Sequence, residues 1–460
     1  MRHRVTALAL AALVGACDRP AEEAATSSAE ARPRGAARPH VVVFVLDTLR
    51  ADRLGCYGFE RETSPALDRL ANDGVLFEQV LSPCSWTRPS MGALLTSQYP
   101  RSLGLFVEQG DALPEEAHTL SEVLHEAGYH TLGLTANPNI NTIFGFAQGF
   151  DSYRDCKTLF AWMRAQGTPG ARGQAALPSA PELFATAREL LDAAPAEQPV
   201  YLQMAFMEPH EWTIRERMPY LLREEHAERF LDDPWARYLQ LTRQLTDDLG
   251  AFVDELKHRP GWRDALFVFV ADHGEGLGDH LSVPNGRHHG NLLYLSQVHV
   301  PWILHREGWT PSVRRVREQA RLLDVMPTLL DALDLPLPSD AVGRSWMPML
   351  RGVSAEKPSP RIEVAETYFQ GTSKIAAYAE DFVFIQAQRP QPGIDLEELQ
   401  RRGSPMNGTR TNLLAAEAER ASELRAFLAA WEAKHPKRAE SAAARALTDE
   451  EARLLKSLGY

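Results

Sequence analysis

Four stretches of the chain carry β-branched, aromatic and aliphatic residues with little polar interruption: His40–Leu46 (HVVVFVL), Tyr201–Met207 (YLQMAFM), Ala265–Ala271 (ALFVFVA) and Gln297–Leu304 (QVHVPWIL). Such runs predict strands buried on both faces, as in the middle of a parallel sheet. Between them the pattern predicts helices over Ser64–Asn72, Met91–Thr96, Thr119–Gly128, Pro181–Ala193 and Arg237–Leu256; the fourth opens on a proline, which suits a first helical turn. This alternation across residues 40–335 predicts an α/β body, a central mostly parallel sheet flanked by helices. After about Asp331 the character changes. Residues 333–360, rich in Pro, Leu and Gly, predict a connecting loop. Ile362–Phe369 and Ile375–Gln386 then predict short strands, and Ala415–Trp431 a helix, of a small C-terminal α+β subdomain and tail spanning 336–460. An Ala/Gly/Pro-rich loop within 161–199 reads as an insertion or a lid, and no internal repeat is present.

The N-terminus follows a different pattern. Arg2 and Arg4 precede an apolar run, Val5–Ala16. It is shorter than the roughly 20 residues needed to cross a bilayer but suits a signal peptide. Its ending, Val14-Gly15-Ala16-Cys17, is similar to a bacterial lipobox, so residues 1–17 are expected to be a lipoprotein signal peptide with Cys17 as the lipidated residue. Residues 18–39, mostly Ala, Ser, Pro, Glu and Arg, predict a flexible linker. The expectation is an exported bacterial lipoprotein, periplasmic or on the outer surface, with a soluble body tethered to the membrane through Cys17.

Composition narrows the function. Against 49 Lys+Arg stand 61 Asp+Glu, a net charge of -12, which argues against a nucleic-acid partner. Four cysteines in 460 residues exclude a disulfide-stapled scaffold, and Cys17, Cys56, Cys84 and Cys156 form no CxxC pair of the kind a zinc knuckle uses.

Polar residues at the C-terminal ends of buried parallel strands are where a site is expected. One such end reads Asp47-Thr48-Leu49-Arg50, another Asp272-His273-Gly274-Glu275. A single aspartate there is as readily a turn former, but two strands ending in Asp, one followed by His, suit a divalent ion. Between them, Thr87 precedes a helix expected to start near Pro89. A hydroxyl at a helix N-terminus faces the positive end of the dipole, a good position for attack on an anion, though a plain N-cap fits equally.

The order of motifs resembles the sulfatase branch of the alkaline phosphatase superfamily. The opening VVVFVLDTLRADRLGCYGFERETSPALDRLANDGVLFEQV, then TRPSMGALLTSQYP, TLSEVLHEAGYHTLGL, MEPHEW, ADHGEGLGDH, HHGNLLY, VHVPWIL, LLDVMPTLLDAL, GRSWMPMLRG and LTDEEARLLKSLGY follow in family order from about residue 40 to the end. The resemblance implies an alkaline phosphatase-like fold. It also implies a metal site of Asp47, Asp272 and His273, an arginine, Arg50, near the anion, and pocket histidines His210 and His289. By the same resemblance a catalytic domain occupies 40–335 and the ion is Ca²⁺ by family habit, with Mn²⁺, Mg²⁺ or Zn²⁺ as alternatives.

Two departures stand out. The second of the family's paired aspartates is here Thr48. The family's C-x-P-S-R, whose cysteine becomes formylglycine, is here T-x-P-S-M, so register places Thr87 at the nucleophile position and Met91 at its arginine. Cys84 lies three residues out of register, and no formylglycine is expected. Arg88 is then the candidate for the lost positive charge. The expected chemistry is metal-dependent hydrolysis of a sulfate or phosphate ester. Thr87 acts as nucleophile and as a fourth member of the single-metal site with Asp47, Asp272 and His273, His210 or His289 acts as acid, and Arg50 and Arg88 bind the anionic substrate. The competing readings are a phospho-group transferase of envelope polymers and a catalytically inactive lipoprotein on the same fold.

Overall fold

The computed structural model describes residues 38–106, 111–156, 177–214, 218–280, 286–353, 361–389, 395–402 and 411–438. The expected signal peptide with Cys17, nearly all of the expected linker and the loop core at 157–176 lie outside these. Among the described residues no helix is long and apolar enough to cross a membrane.

The continuous apolar runs become the middle of one nine-stranded sheet. In chain order its elements are β1 (Val41–Leu46), α1 (Pro65–Asp73), β2 (Val75–Leu81), α2 (Thr87–Thr96), α3 (Leu120–Glu126), β3 (His130–Thr135), β4 (Ser152–Arg154), α4 (Ala180–Ala193) and β5 (Val200–Phe206). There follow α5 (Ala236–His258), β6 (Leu266–Val270), β7 (His299–His305), the two-residue strands β8 (Arg315–Val316) and β9 (Ala320–Arg321), and α6 (Val325–Ala332). The order across the sheet is β4-β3-β5-β1-β6-β7-β2-β8, with β9 also on β2. The neighbours from β4 to β6 are parallel, whereas β7 runs antiparallel to both β6 and β2. β1, flanked by β5 and β6, is buried at every position, which is why its sequence has no alternation. Phe252 of α5 lies 4.3 Å from Phe184 of α4 and 6.4 Å from Phe44 of β1, ring centre to ring centre, packing both helices against the central strands.

A second, four-stranded antiparallel sheet is formed by β10 (Glu363–Thr367), β11 (Lys374–Tyr378), β12 (Phe382–Ala387) and β13 (Glu397–Arg401), with α7 (Ala418–Lys434) after it. The run Ile375–Gln386, expected as one strand, is two. Glu380 and Asp381 are exposed at a hairpin, and the Ala379 N–H donates to Phe382 O at 2.8 Å. Strands β2 and β13 carry polar residues inside them (Glu78-Gln79; Glu397-Glu398, Gln400) and are not apparent from apolar pattern alone.

The second sheet joins the body through α2 and the residues after it. Ala93 and Tyr99 share a core with Val364, Ile375, Phe384, Leu424 and Trp431. At this joint Arg101 is buried: its Nε lies 3.1 Å from Glu366 Oε2 on β10 and its guanidinium donates to Glu432 on α7 at 2.9 Å. Burial alone raises the Glu366 carboxyl above its usual range, so its ionised form depends on this arginine. Replacing Arg101 with leucine is expected to cost about 3–5 kcal/mol in urea unfolding, because Glu366 would be left buried and unpaired. Adding Glu366→Leu should recover most of that loss, which equilibrium denaturation of the single and double variants would measure.

Candidate active site

Four parallel strands of the sheet end at one place. Beyond β1 comes Asp47, beyond β3 Asn137, beyond β5 His210, and beyond β6 Asp272 and His273. α2 delivers Thr87 as its first helical residue. The helix thus starts two residues earlier than Pro89 suggests. Proline at the third position costs nothing, because its missing N–H falls where no intrahelical acceptor is available.

Asp47, Asp272 and His273 are all buried, and one ligand atom from each lies within 4.8 Å of the others. The His273 Nε2 stands 3.7 Å from Asp47 Oδ1 and 3.4 Å from Asp272 Oδ2. Those two carboxylate oxygens are sealed from solvent and accept no hydrogen bond among the described residues. Burial, and then repulsion from Asp272, pushes the Asp47 carboxyl well above its ordinary range. Burial likewise raises Asp272 to about 6, although the N–H groups of His273 and Thr48 oppose it. Burial and the neighbouring histidines 289 and 210 push His273 well below its usual value, so its ring is neutral. Its Nδ1 donates to Gly274 O at 2.9 Å, which fixes the tautomer and leaves the Nε2 lone pair facing the carboxylates. Two unsatisfied carboxylate oxygens and one oriented imidazole nitrogen are a donor set that fits a divalent cation.

The segment after β6 needs its glycine. A Cβ at Gly274 would lie 2.1 Å from the Ser296 carbonyl oxygen, so the His273–Glu275 turn closes only without a side chain there. The turn after β1 is equally constrained. Thr48 has a left-handed backbone (φ 57), and its hydroxyl donates to Asp47 O at 2.7 Å rather than pointing towards the carboxylates. Tyr238 of α5 pins this turn by donating to Thr48 O and accepting from Arg50 N, both at 2.9 Å.

The Thr87 hydroxyl donates to Asp47 Oδ2 at 3.3 Å and lies 3.3 Å from His273 Nε2. Beside it is Asn137, a residue not among the sequence-predicted site residues, whose Nδ2 donates to Asp47 Oδ2 and, at 3.3 Å, to Thr87 Oγ1. Asn137 lies beyond the end of β3, a strand whose HTLGLT is too mixed to stand out as a core run. The strand-end rule that singles out Asp47 and Asp272 applies to it as well once β3 is recognised.

The three histidines form a row. Ring centres are 4.6 Å apart for His273 and His289 and 5.1 Å apart for His289 and His210. The His289 Nδ1 faces Glu275 Oε2 at 3.3 Å, and that oxygen also accepts from Trp212 Nε1 at 3.2 Å. Burial pulls the Glu275 carboxyl upward, but His289 and the Gly276 N–H more than offset it and hold the group ionised. His210 pairs its Nδ1 with Glu211 Oε1 at 3.3 Å. In both residues Nδ1 faces a carboxylate oxygen.

The two arginines expected to meet the anion are engaged within the protein. Arg50 makes a bidentate pair with Asp52 at 2.7 and 2.8 Å, a 2.6 Å ion pair with Asp279 and a bond to Glu275 O, so its charge braces the 275–279 segment. Arg88 lies over Phe144, its central carbon 3.5 Å from the ring centre, and donates to Asn139 O and Oδ1, each at 3.2 Å, and to Asp111 O. It supports the turn that carries Asn137. Cys84 is buried against Trp86 and Phe369, and burial pushes its thiol up, away from the thiolate form.

The sulfatase family model matches residues 39–335. Arylsulfatase A of Homo sapiens is 27% identical over 383 residues, covering 73% of this chain and 71% of the relative. The Delta 4,5-hexuronate-2-O-sulfatase of Bacteroides thetaiotaomicron is 21% identical over 375 residues, covering 71% and 74%. Among solved structures, the phosphonate monoester hydrolase of Agrobacterium radiobacter superposes with a TM-score of 0.66 at 19% identity, covering 86% of this chain and 96% of its own. With the model spanning well over half its length, this chain belongs to the sulfatase family of ester hydrolases.

Proposed function

We propose that the protein hydrolyses an anionic sulfate or phospho-ester by transferring the sulfuryl or phosphoryl group first to Thr87 and then to water. The observation that carries this reading is the position of Thr87 Oγ1, at the start of α2 and 3.3 Å from both Asp47 Oδ2 and His273 Nε2. A buried hydroxyl touching a carboxylate pair is placed to act as nucleophile, not only as a cap. The same two carboxylates speak against an inactive scaffold, since such groups are costly to keep buried without a cation.

A divalent cation held by Asp47, Asp272 and His273 would draw electron density from the ester oxygens and acidify the hydroxyl beside it. The chain's own residues do the rest. Thr87 Oγ1 bonds to sulfur or phosphorus while its proton passes to Asp47 Oδ2, the acceptor it already faces. The bond to the leaving oxygen breaks, and that oxygen takes a proton from Nε2 of His210 or His289, whose Nδ1 atoms are held by Glu211 and Glu275. Water then attacks the same centre and gives a proton back to that imidazole. The Thr87 oxygen leaves and recovers its own proton from Asp47. The N-terminus of α2 favours the anionic centre throughout. The anchored, exported location expected from Arg2–Cys17 belongs with this proposal as a reading of the sequence.

Activity on para-nitrophenyl sulfate, phosphate, phosphate diester and phenylphosphonate, with and without chelator, is the direct test. Turnover of at least one is expected, lost on chelation and lowered by roughly three orders of magnitude or more in Thr87→Ala. Cys84→Ala should turn over normally. Full turnover by a metal-loaded Thr87→Ala protein would overturn the assignment.

Stability gives a second test. A carboxyl whose folded-state pKa is raised stabilises the fold fully below its unfolded value and loses that contribution as pH rises through the folded value. For Asp272 that window runs from 3.8 to about 6. Cation-free protein is therefore expected to lose thermal stability between those pH values, while cation-loaded protein keeps it. Differential scanning calorimetry with and without chelator would measure this.

A further inference from the structure

Building on the proposed covalent route through Thr87, we propose that Asn137 is a catalytic residue of the second displacement, donating from Nδ2 to Thr87 Oγ1 as that oxygen leaves sulfur or phosphorus. Its amide cannot serve equally well turned over. The Asn137 Oδ1 accepts the Asn139 N–H at 2.8 Å, and flipping the amide would set two donors against each other. Asn139 is itself gripped by Arg88 at both its backbone and side-chain oxygens. The Asn137 Nδ2 is therefore held towards Asp47 Oδ2 and Thr87 Oγ1, in a position 1% exposed.

The hydroxyl has one proton and two lone pairs. With the proton directed to Asp47 Oδ2, Asn137 occupies a lone pair of the same oxygen. In the first displacement that oxygen gives up electron density, and a donor on it helps little. In the second, water adds to sulfur or phosphorus, the bond to Oγ1 breaks, and the electron pair returns to Oγ1. Negative charge then develops on the very atom that Nδ2 faces. An ester of threonine has no aldehyde to collapse to, so assistance to its departing oxygen is what this route requires. Asn137 is uncharged and supplies this assistance without titrating.

The test is transient kinetics on the metal-loaded full chain, using whichever nitrophenyl sulfate or phenylphosphonate the wild type hydrolyses. Asn137→Ser can still accept the residue-139 N–H as a cap but is too short to reach Thr87, so it separates the catalytic from the structural role; Asn137→Ala removes both. In the serine variant a stoichiometric burst of nitrophenol is expected at close to the wild-type rate. A steady state slowed about 100-fold should follow. Intact-mass spectrometry should show the transferred group accumulated on Thr87. A serine variant with no burst and no adduct, whatever its overall rate, would overturn the role of Asn137. No adduct in any variant, together with turnover by Thr87→Ala, would instead overturn the Thr87 reading on which it rests.

Discussion

Two aspartates that repel one another, sealed from water at the ends of adjacent parallel strands, are the constraint on which the site depends. β1 and β6 are hydrogen-bonded neighbours, so the residues just beyond them cannot separate without breaking the middle of the sheet. Asp47 and Asp272 are brought together by the same register that builds the core. Everything near them reduces the cost. Backbone N–H groups of Thr48 and His273 reach Asp272, Asn137 reaches Asp47, and the neutral ring of His273 stands between the two free oxygens. What these neutral donors leave over is the electrostatic demand for a cation.

Around this pair the full charges are engaged with groups of the protein itself. Arg50 and Arg88 are buried beside the site, yet each is directed at protein oxygens, one bracing the segment after β6 and the other the turn after β3. Glu275 and Glu211 orient imidazoles. Orientation of this kind matters for transfer chemistry, in which a hydroxyl, a proton donor and a water must each meet a single tetrahedral centre.

Much of this was legible in the sequence. β1, β5 and β6 are buried on both faces, and a strand so placed has no alternation to hide it; the Asp-bearing ends of β1 and β6 follow directly. Register against Leu94-Leu95-Thr96 was enough to put Thr87 rather than Cys84 at the site. What escaped has physical reasons. A strand with threonine, glycine and histidine in it, such as β3, looks like many loops, and Asn137 went unseen with it. The direction of β7 depends on partners that a linear pattern does not contain. An arginine next to a site residue in sequence carries no sign of which groups of its own chain its guanidinium will meet, and Arg50 meets two aspartates.

The joint at Arg101 has a bearing on how the protein is made. The helix that starts with Thr87 rests its far end on a core completed by β10, β11 and α7, residues more than 260 positions later in the chain. Such contacts form late, because the intervening chain must first be closed into a loop. During synthesis the first three-quarters of the chain can assemble the central strands and bring Asp47 to its place. The helix that carries Thr87 finds its full support only after the C-terminal sheet has emerged and docked. The terminal quarter is thus part of the catalytic body in the order of events as well as in space.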